Sequence, residues 1–323
     1  MSPPRFCAIG IDVGGTKVAA GCVLFPEAET RFIRVIPTHP ERGGAAVLDD
    51  TVRLAEDLMA EARAAGLSVG ALGLGLCELV GTDGRVLSAN SVQWMGLPVQ
   101  DRLSALAPFT LEADVRAAAL AEARFGAGRG MRLFLYLTVG TGISSCLVVD
   151  GKPFVGTRGA CGTMASAPLS LPCEHCGEVN QKNLEQIAAG PALVARLNQR
   201  RPVAVQSGQE VLAAAALGDA DALLVVRTGA AALGAAVGLL VNVLDPEAIV
   251  VGGGLGLSQG LYWDSLCAAT RDHIWSGVHR DLPILRAATA EQVGVVGAAA
   301  AAWQSATRLE NKTSAAKAHH PHA

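Results

Sequence analysis

The sequence predicts an α/β protein made of two similar halves, and three observations predict it. A strand, a Gly-rich turn and a second strand occur around residue 14 and again around residue 141, each time followed by helical segments. The strands are short apolar runs, whereas the helices repeat apolar residues at intervals of three and four, as the two geometries require. The 323 residues suffice for two domains, and half of them are hydrophobic. Aromatics are only 4%, so the core must be built from Ala, Val, Leu and Ile.

Residues 8–13 read as a strand, 14–17 as a tight turn, 18–24 as the returning strand and 35–40 as the end of a third. Residues 44–67 are a helix, because Val47, Leu48, Val52, Leu54, Leu58 and Met59 interleave with Asp50, Arg53, Glu56, Asp57 and Glu61. A buried strand at 69–76, a turn at 82–85 and a short helix at 101–106 follow. Residues 111–125 open acidic and become Ala-rich, which predicts a helix with Asp114 in its first turn. Strands 133–139 and 144–149 flank Gly140-Thr141-Gly142, and Asp150-Gly151 closes the hairpin. Residues 156–181 show little periodicity and much Gly, Ser, Pro and Cys, a loop whose length suggests function. Helices at 184–197, 211–226 and 228–244, a strand at 248–251, the turn Gly252-Gly253-Gly254 and an Ala-rich helix at 293–304 complete the ordered chain. The polar segment 311–323 is expected to be a disordered tail. The expected domains are 1–112 with a closing helix at about 295–310, and 113–294.

The formal net charge of −3 leaves no basic footprint for nucleic acid. Met1-Ser2-Pro3-Pro4-Arg5 leads almost directly into a strand without signal-peptide architecture, and the eight cysteines mostly sit in apolar runs (Cys22, Cys77, Cys146). A reduced, cytoplasmic protein is the expectation. The apolar stretch 229–244 is broken by glycines and runs into Asp245-Pro246, which reads as a buried helix rather than a membrane span.

The chemistry concentrates in Asp12-Val13-Gly14-Gly15-Thr16-Lys17. The glycines let backbone N–H groups approach an anion, Thr16 adds a hydroxyl, Lys17 adds a cation, and Asp12 at the strand end suits a hydrated Mg²⁺. This is not a Walker loop, and an ordinary Gly-Gly hairpin has the same local sequence. With Gly140-Thr141-Gly142 and the turn at 252–254, however, it suits a nucleoside triphosphate: phosphates on the first two turns, adenosine against the third.

Taken in order, these motifs resemble the ROK family (repressors, open reading frames, kinases) of the actin-like sugar kinase superfamily. The matching pieces are Ile11 to Lys17, Leu72-Gly73-Leu74-Gly75, Asp114 with Ala117 to Glu122, Thr138 to Gly142, Asp150-Gly151-Lys152, Leu184-Glu185, Ile249 to Gly254 and Gly294 to Ala299, spread over nearly the whole chain. The resemblance implies two RNase H-like (actin-like ATPase) domains around a cleft, ATP and Mg²⁺ in that cleft, and transfer of the γ-phosphoryl group to a sugar hydroxyl. It places Asp12 (holding Mg²⁺ through water), Gly14, Gly15, Thr16, Lys17, Thr138, Gly140, Thr141, Gly142, Gly253 and Gly254 on the nucleotide. It makes Asp114 the catalytic base, and puts Glu78, Asn90, Arg116, Thr163, Ser166 and Glu185 beside the acceptor. Without the surrounding motifs, Asp114 would read as a helix N-terminal acid favoured by the macrodipole. Homodimers or homotetramers are common in the family. Its repressors carry an N-terminal helix-turn-helix domain, for which about ten residues before the phosphate motif leave no room.

The departures from the family pattern fall on the acceptor side. Ala113 replaces the Asn before the base, Arg116 replaces a small or amide residue, and Cys77-Glu78 replaces Pro-Gly. The family's Gly-Glu-x-Gly-His stretch falls on 162–166, so its Glu is Thr163 and its His is Ser166. The zinc loop reads Cys173-Glu174-His175-Cys176, and Asn183 stands where its third cysteine would be. Cys173 and Cys176, with His175 and Cys161 nearby, are candidate Zn²⁺ ligands, with a metal-free loop as the alternative. A site built to bond a hydroxyl rejects ligands lacking it. Exchanging Glu and His for Thr and Ser therefore predicts a cyclitol or amino sugar rather than glucose. Glu78 pairs either with a substrate amine or with Arg116. The expected function is an ATP-dependent kinase for a sugar-like acceptor. Inorganic polyphosphate is the alternative donor, and a catalytically inactive relative that binds a sugar-like ligand or a partner protein is the alternative function.

Overall fold

A computed structural model describes residues 6–172, 179–289 and 292–318. In chain order the elements are β1 (Phe6–Val13), β2 (Lys17–Phe25), β3 (Glu29–Pro37), α1 (Gly44–Ala64), β4 (Val69–Leu76), α2 (Val99–Ser104), β5 (Phe109–Ala113), α3 (Asp114–Phe125), β6 (Leu133–Val139), β7 (Ile143–Val149), β8 (Lys152–Pro153), β9 (Pro168–Pro172), β10 (Val179–Asn183), α4 (Glu185–Ala188), α5 (Gly190–Asn198), α6 (Gly208–Ala216), α7 (Ala220–Leu244), β11 (Ala248–Gly252), α8 (Leu261–Asp272), β12 (Ile284–Arg286) and α9 (Val293–Ala318). Two five-stranded sheets run β3-β2-β1-β4-β5 and β12-β11-β6-β7-β8. The second repeats the first: a central strand, an antiparallel hairpin partner on one side and parallel strands on the other. The α/β class and the internal repeat expected from the sequence are thus present.

The chain divides into two compact units, Met1–Arg129 with Gly151–Cys161 and Glu291–Ala323, and Gly130–Asp150 with Gly162–Ala290. In the first, strand alternation sends Ile9, Ile11, Leu72 and Leu74 toward Val47, Leu48 and Leu58 of α1. The other face turns Ala8, Val23 and Ala71 toward Leu120 of α3 and Val295 and Ala299 of α9. Gly10 and Gly73 lie on that face, where a β carbon would overlap the carbonyl oxygens of Val295 and Ala298. These glycines let α9 lie directly on the strands. Gly297 does the same for α3, since a β carbon there would overlap the Ala117 carbonyl.

That packing places α3 in the first unit, so the division falls at Arg129 and not at the expected 112–113. The expected helix at 111–125 begins as a strand. Phe109 to Ala113 pair in parallel with Leu72 to Leu76, and α3 starts at Asp114. The expected helix at 184–197 is two helices, α4 and α5, and the break expected near residue 227 falls earlier, between α6 and α7. Gly218 at φ +89° ends the first of these, and the Asp219 carboxylate caps Ala222 N at 2.9 Å to start the next. Helix α9 continues past Asn311 to Ala318, where a disordered tail was expected.

In the second unit α7 buries Val225, Leu233, Val237 and Val241. They meet Leu135, Leu137 and Val139 of β6 and Tyr262 and Leu266 of α8 in one core. Among the described residues α7 is also the one helix long and apolar enough to cross a membrane by length and composition.

Candidate functional site

Strands β1, β4 and β5 are mutually parallel, so their carboxyl ends share one edge of the first sheet. Open α/β sheets bind ligands beyond that edge. Asp12 lies there near the end of β1, Cys77 and Glu78 follow β4, and Asp114 follows β5. The two aspartates flank Gly75: a β carbon on it would lie 3.5 Å from Asp114 Cα and 3.8 Å from Asp12 Oδ1. Burial pushes Asp12 up to about 6, and the Lys17 charge only partly offsets it. Burial, and then the Asp12 charge, push Asp114 up to about 7 against the opposing hydrogen bond from Val115 N. Val115 N reaches Asp114 Oδ1 at 2.6 Å. Two poorly solvated acids of this kind suit a cation, and the donor set fits a hydrated Mg²⁺ on Asp12.

The turn after β1 is held from inside. Gly14 N donates to Lys17 O at 3.0 Å, and the buried Thr38 donates its hydroxyl to Gly14 O at 2.6 Å. Thr16 and Lys17 are exposed. Gly15 is pressed against Ser91, whose Cβ would lie 3.2 Å from a β carbon on it. Asn90, the neighbour of Ser91, is exposed.

Glu78 and Arg116 do not pair with each other. The Glu78 carboxylate, 4% exposed, accepts from the Ser88 hydroxyl at 2.5 Å and from the backbone N–H groups of Asn90, Ser91 and Val92 at 2.9, 2.5 and 2.8 Å. These bonds hold its carboxyl below the usual range despite burial. Arg116, also 4% exposed, pairs with Glu112, four residues back in β5, and donates to the carbonyls of Gly159 and Val80 at 2.8 and 2.7 Å. Both side chains serve the scaffold around Asp114 and Asn90. This corrects the expectation that they face an acceptor or each other: three backbone donors saturate one, and two carbonyls and a carboxylate saturate the other.

In the second unit the Gly140-Thr141-Gly142 turn is closed by Gly140 N donating to Gly142 O at 2.9 Å, and Gly190 N donates to Gly140 O at 2.9 Å. Glu185 accepts from Ile143 N at 2.9 Å, and a β carbon on Gly142 would lie 2.8 Å from its Oε2. Glu185 thus braces the turn. Thr138 sits half-buried at the end of β6, opposite Gly252. The third glycine turn lies beside the second: Leu255 N and Gly256 N both donate to Val139 O at 3.0 Å. Gly253 needs to be glycine, at φ +81° with Val139 crowding it, whereas nothing stands within 4 Å of a β carbon on Gly254. That open backbone beside Gly140 leaves room for a nucleotide. Thr163 and Ser166 flank the short turn Met164–Ser166 and are exposed. Beneath them Ser145 donates its hydroxyl to Gly162 O at 3.0 Å.

Cys173 and Cys176 lie outside the described residues. Among the described residues no group of three or more His, Cys, Asp and Glu is placed to hold a metal. Thr38 and Ser91 were missed in the sequence because each acts across a fold contact and neither sits in a recognisable motif. Gly294 was within reach, since it opens the matching stretch at 294–299.

Two sheets of one strand order, each with a glycine turn after its central strand, define an actin-like ATPase fold. The chain belongs to the ROK family, whose sequence profile matches residues 8–305. It is 30% identical over 319 residues to the glucokinase of Streptomyces coelicolor, covering 90% of this chain and 96% of that one. It is 29% identical to the N-acetylmannosamine kinase of Yersinia pseudotuberculosis, covering 90% and 96%. The crystal structure of a ROK family glucokinase from Streptomyces griseus in complex with glucose and AMPPNP superposes with a TM-score of 0.79, at 28% identity over 92% of this chain and 99% of that one.

Proposed function

We propose that this protein is an ATP-dependent kinase that phosphorylates a hydroxyl of a sugar-like acceptor, an amino sugar or a cyclitol in preference to glucose. The placement of Asp114 carries the reading: a carboxylate at a helix start, beyond the carboxyl ends of the parallel strands β1, β4 and β5 and beside Asp12. Phosphoryl transfer runs through a loose transition state, so catalysis is mainly positioning and charge stabilisation. Asp114 accepts the acceptor proton late, and a pKa of about 7 suits a base working near neutrality. Asp12 would hold a hydrated Mg²⁺. Gly14, Gly15, Thr16 and Lys17 offer N–H groups, a hydroxyl and a cation suited to phosphate oxygens, and Gly140, Thr141 and Gly142 offer N–H groups and a hydroxyl of the same kind. Gly253 and Gly254 leave the backbone bare for adenosine. Bound ATP supplies the transferable γ-phosphoryl group.

The acceptor preference rests on Thr163 and Ser166, whose short hydroxyls stand where the family presents a carboxylate and an imidazole. Asn90 and the free oxygen of Glu185 complete the proposed acceptor contacts. The test is a coupled assay with ATP or polyphosphate against glucose, aminohexoses, N-acylated aminohexoses and cyclitols. ATP-dependent product from an amino sugar or cyclitol, with glucose poorer, is the expected result. Efficient glucose turnover overturns the acceptor preference alone. Absence of product with every acceptor, despite nucleotide or sugar binding, overturns the enzyme assignment in favour of an inactive relative.

A further inference from the structure

The first unit holds a cavity of about 230 Å³ that the proposed chemistry does not use. Its floor is the edge strand β5. Leu111 of that strand packs in the core with α1, so alternation turns Thr110 and Glu112 to the opposite face, where α3 and α9 lie. Helix α3 lends Arg116 and Leu120, one turn apart. Helix α9 lends Gln304, Ser305 and Arg308 from one face, and Lys152 of β8 joins them. The charges there do not balance. Among the described residues Glu112 is the one carboxylate in the lining, and it already accepts from Arg116 Nε and from Ala113 N. Lys152 and Arg308 are exposed, and neither has an ion-pair partner among the described residues. With its carboxamide oriented to suit its partners, Gln304 accepts from Arg124 Nε and Nη2 at 3.0 and 3.2 Å, which sets a further cation beside the lining.

The geometry points to a second ligand site in this cavity, for a small phosphate monoester on a hydroxyl-bearing carbon skeleton, the chemistry of a sugar phosphate. Two uncompensated cations suit a dianion, and a guanidinium fork beside an ammonium matches phosphate oxygens. The hydroxyls of Thr110 and Ser305 favour a skeleton with hydroxyls over a plain dicarboxylate, and Leu120 offers a patch for its carbon face. The volume falls below the roughly 300–1,000 Å³ of sites for drug-sized ligands, so a single small metabolite fits. Binding here reaches the scaffold of the candidate site through Arg116. Its Nη1 and Nη2 hold the carbonyls of Gly159 and Val80, and it stands two residues after Asp114. A dianion attracts this guanidinium and repels its partner Glu112. The ligand is therefore an effector of that scaffold and not a second substrate. The site stands apart from the proposed kinase activity, because neither Lys152 nor Arg308 takes part in it.

The test is titration calorimetry of the full chain without nucleotide, using glucose 6-phosphate as the probe and glucose, inorganic phosphate and succinate as comparisons. Glucose 6-phosphate should bind, and each comparison should bind more weakly. Lys152→Ala and Arg308→Ala should each weaken the probe about tenfold, since a hydrogen bond to a charged group is worth about 1.5 kcal/mol or more. Asp114→Asn should leave its affinity unchanged. Absence of binding overturns the site, and succinate binding as tightly overturns the ligand class. A probe weakened by Asp114→Asn but not by the two alanine variants lies at the candidate catalytic site, which overturns the inference too. Should either alanine variant fold poorly, hydrogen exchange of the parent decides. The probe should protect residues 110–120 and 301–308, and protection confined to the turns at 14–17 and 140–142 overturns the site. ATP-dependent turnover is assayed separately, so failure here leaves the proposed function standing.

Discussion

Gly294, the second residue of α9, packs against Asp12: a β carbon there would overlap Asp12 Oδ2. The start of the last helix therefore sets where the first aspartate can sit. Gly294→Ala must push the carboxylate aside or lift the helix. The expected cost is about 1–3 kcal/mol of stability, together with a loss of turnover on the order of 10²-fold, as misplacement near a reacting group produces. Thermal melting and steady-state kinetics on the same sample separate the two effects. Full activity in this variant would mean that the Asp12 position does not matter.

Asp12 and Asp114 make stability depend on pH in a direction opposite to most carboxylates. Both are raised in the folded protein, to about 6 and about 7, so between about pH 4 and 7 the folded state holds more protons than the unfolded state. Stability therefore falls as pH rises through that window. Asp114→Asn should raise the melting temperature above pH 7, by a free energy on the order of 2 kcal/mol, with the gain vanishing near pH 4. The same variant should lose phosphoryl transfer while keeping nucleotide binding. Asp12→Asn should lower the Asp114 titration, because the Asp12 charge is the second cause of its rise. Melting curves across pH check the first two effects, and carboxyl titration by NMR checks the third.

What was legible in the sequence was local. Asp12 with its glycine turn, Gly140 to Gly142 and the helix carrying Asp114 follow from short runs in which residue type and backbone geometry agree. Strand β5 was not legible, because Phe109 to Ala113 is a short parallel edge strand whose identity depends on pairing with Leu72 to Leu76. The break before α7 had a readable signal in Gly218-Asp219, a helix stop followed by an N-cap, which the continuous apolar run obscured. Glu78 and Arg116 were legible as charges near the site but not in their roles. Their partners lie 10–14 and up to 43 residues away and are mostly backbone groups, which leave no mark in a sequence.

Glu78 anchors the segment that carries Asn90 and Ser91, so its loss should be felt in structure and in acceptor binding together. Glu78→Gln replaces an ionised acceptor with an amide whose NH₂ faces backbone donors. The expected destabilisation at neutral pH is about 2–3 kcal/mol. The folded-state carboxyl titrates below its ordinary value, so its contribution is complete above the unfolded value and is lost as pH falls through the folded one. The gap between parent and variant should accordingly close in acid. The KM for the acceptor should rise more than that for ATP, because the ordered segment ends in the exposed Asn90. Equal melting temperatures at pH 7 would contradict the anchoring role.

The proposed acceptor role of Thr163 and Ser166 can be isolated by a double substitution. Both are exposed beside a short turn whose base is fixed by Ser145 and Gly162, so longer side chains there meet no core. Thr163→Glu with Ser166→His should fold with little loss of stability and should shift kcat/KM toward glucose relative to an amino sugar or cyclitol. A carboxylate and an imidazole gain partners on a hydroxyl-rich ring, and are left unpaired by a ring that lacks the matching hydroxyls. The shift should be on the order of 10²-fold in the ratio of the two kcat/KM values, since each buried polar group left without a partner costs about 1–3 kcal/mol. An unchanged ratio would mean that acceptor choice is made elsewhere, with Asn90 and Glu185 as the next residues to vary.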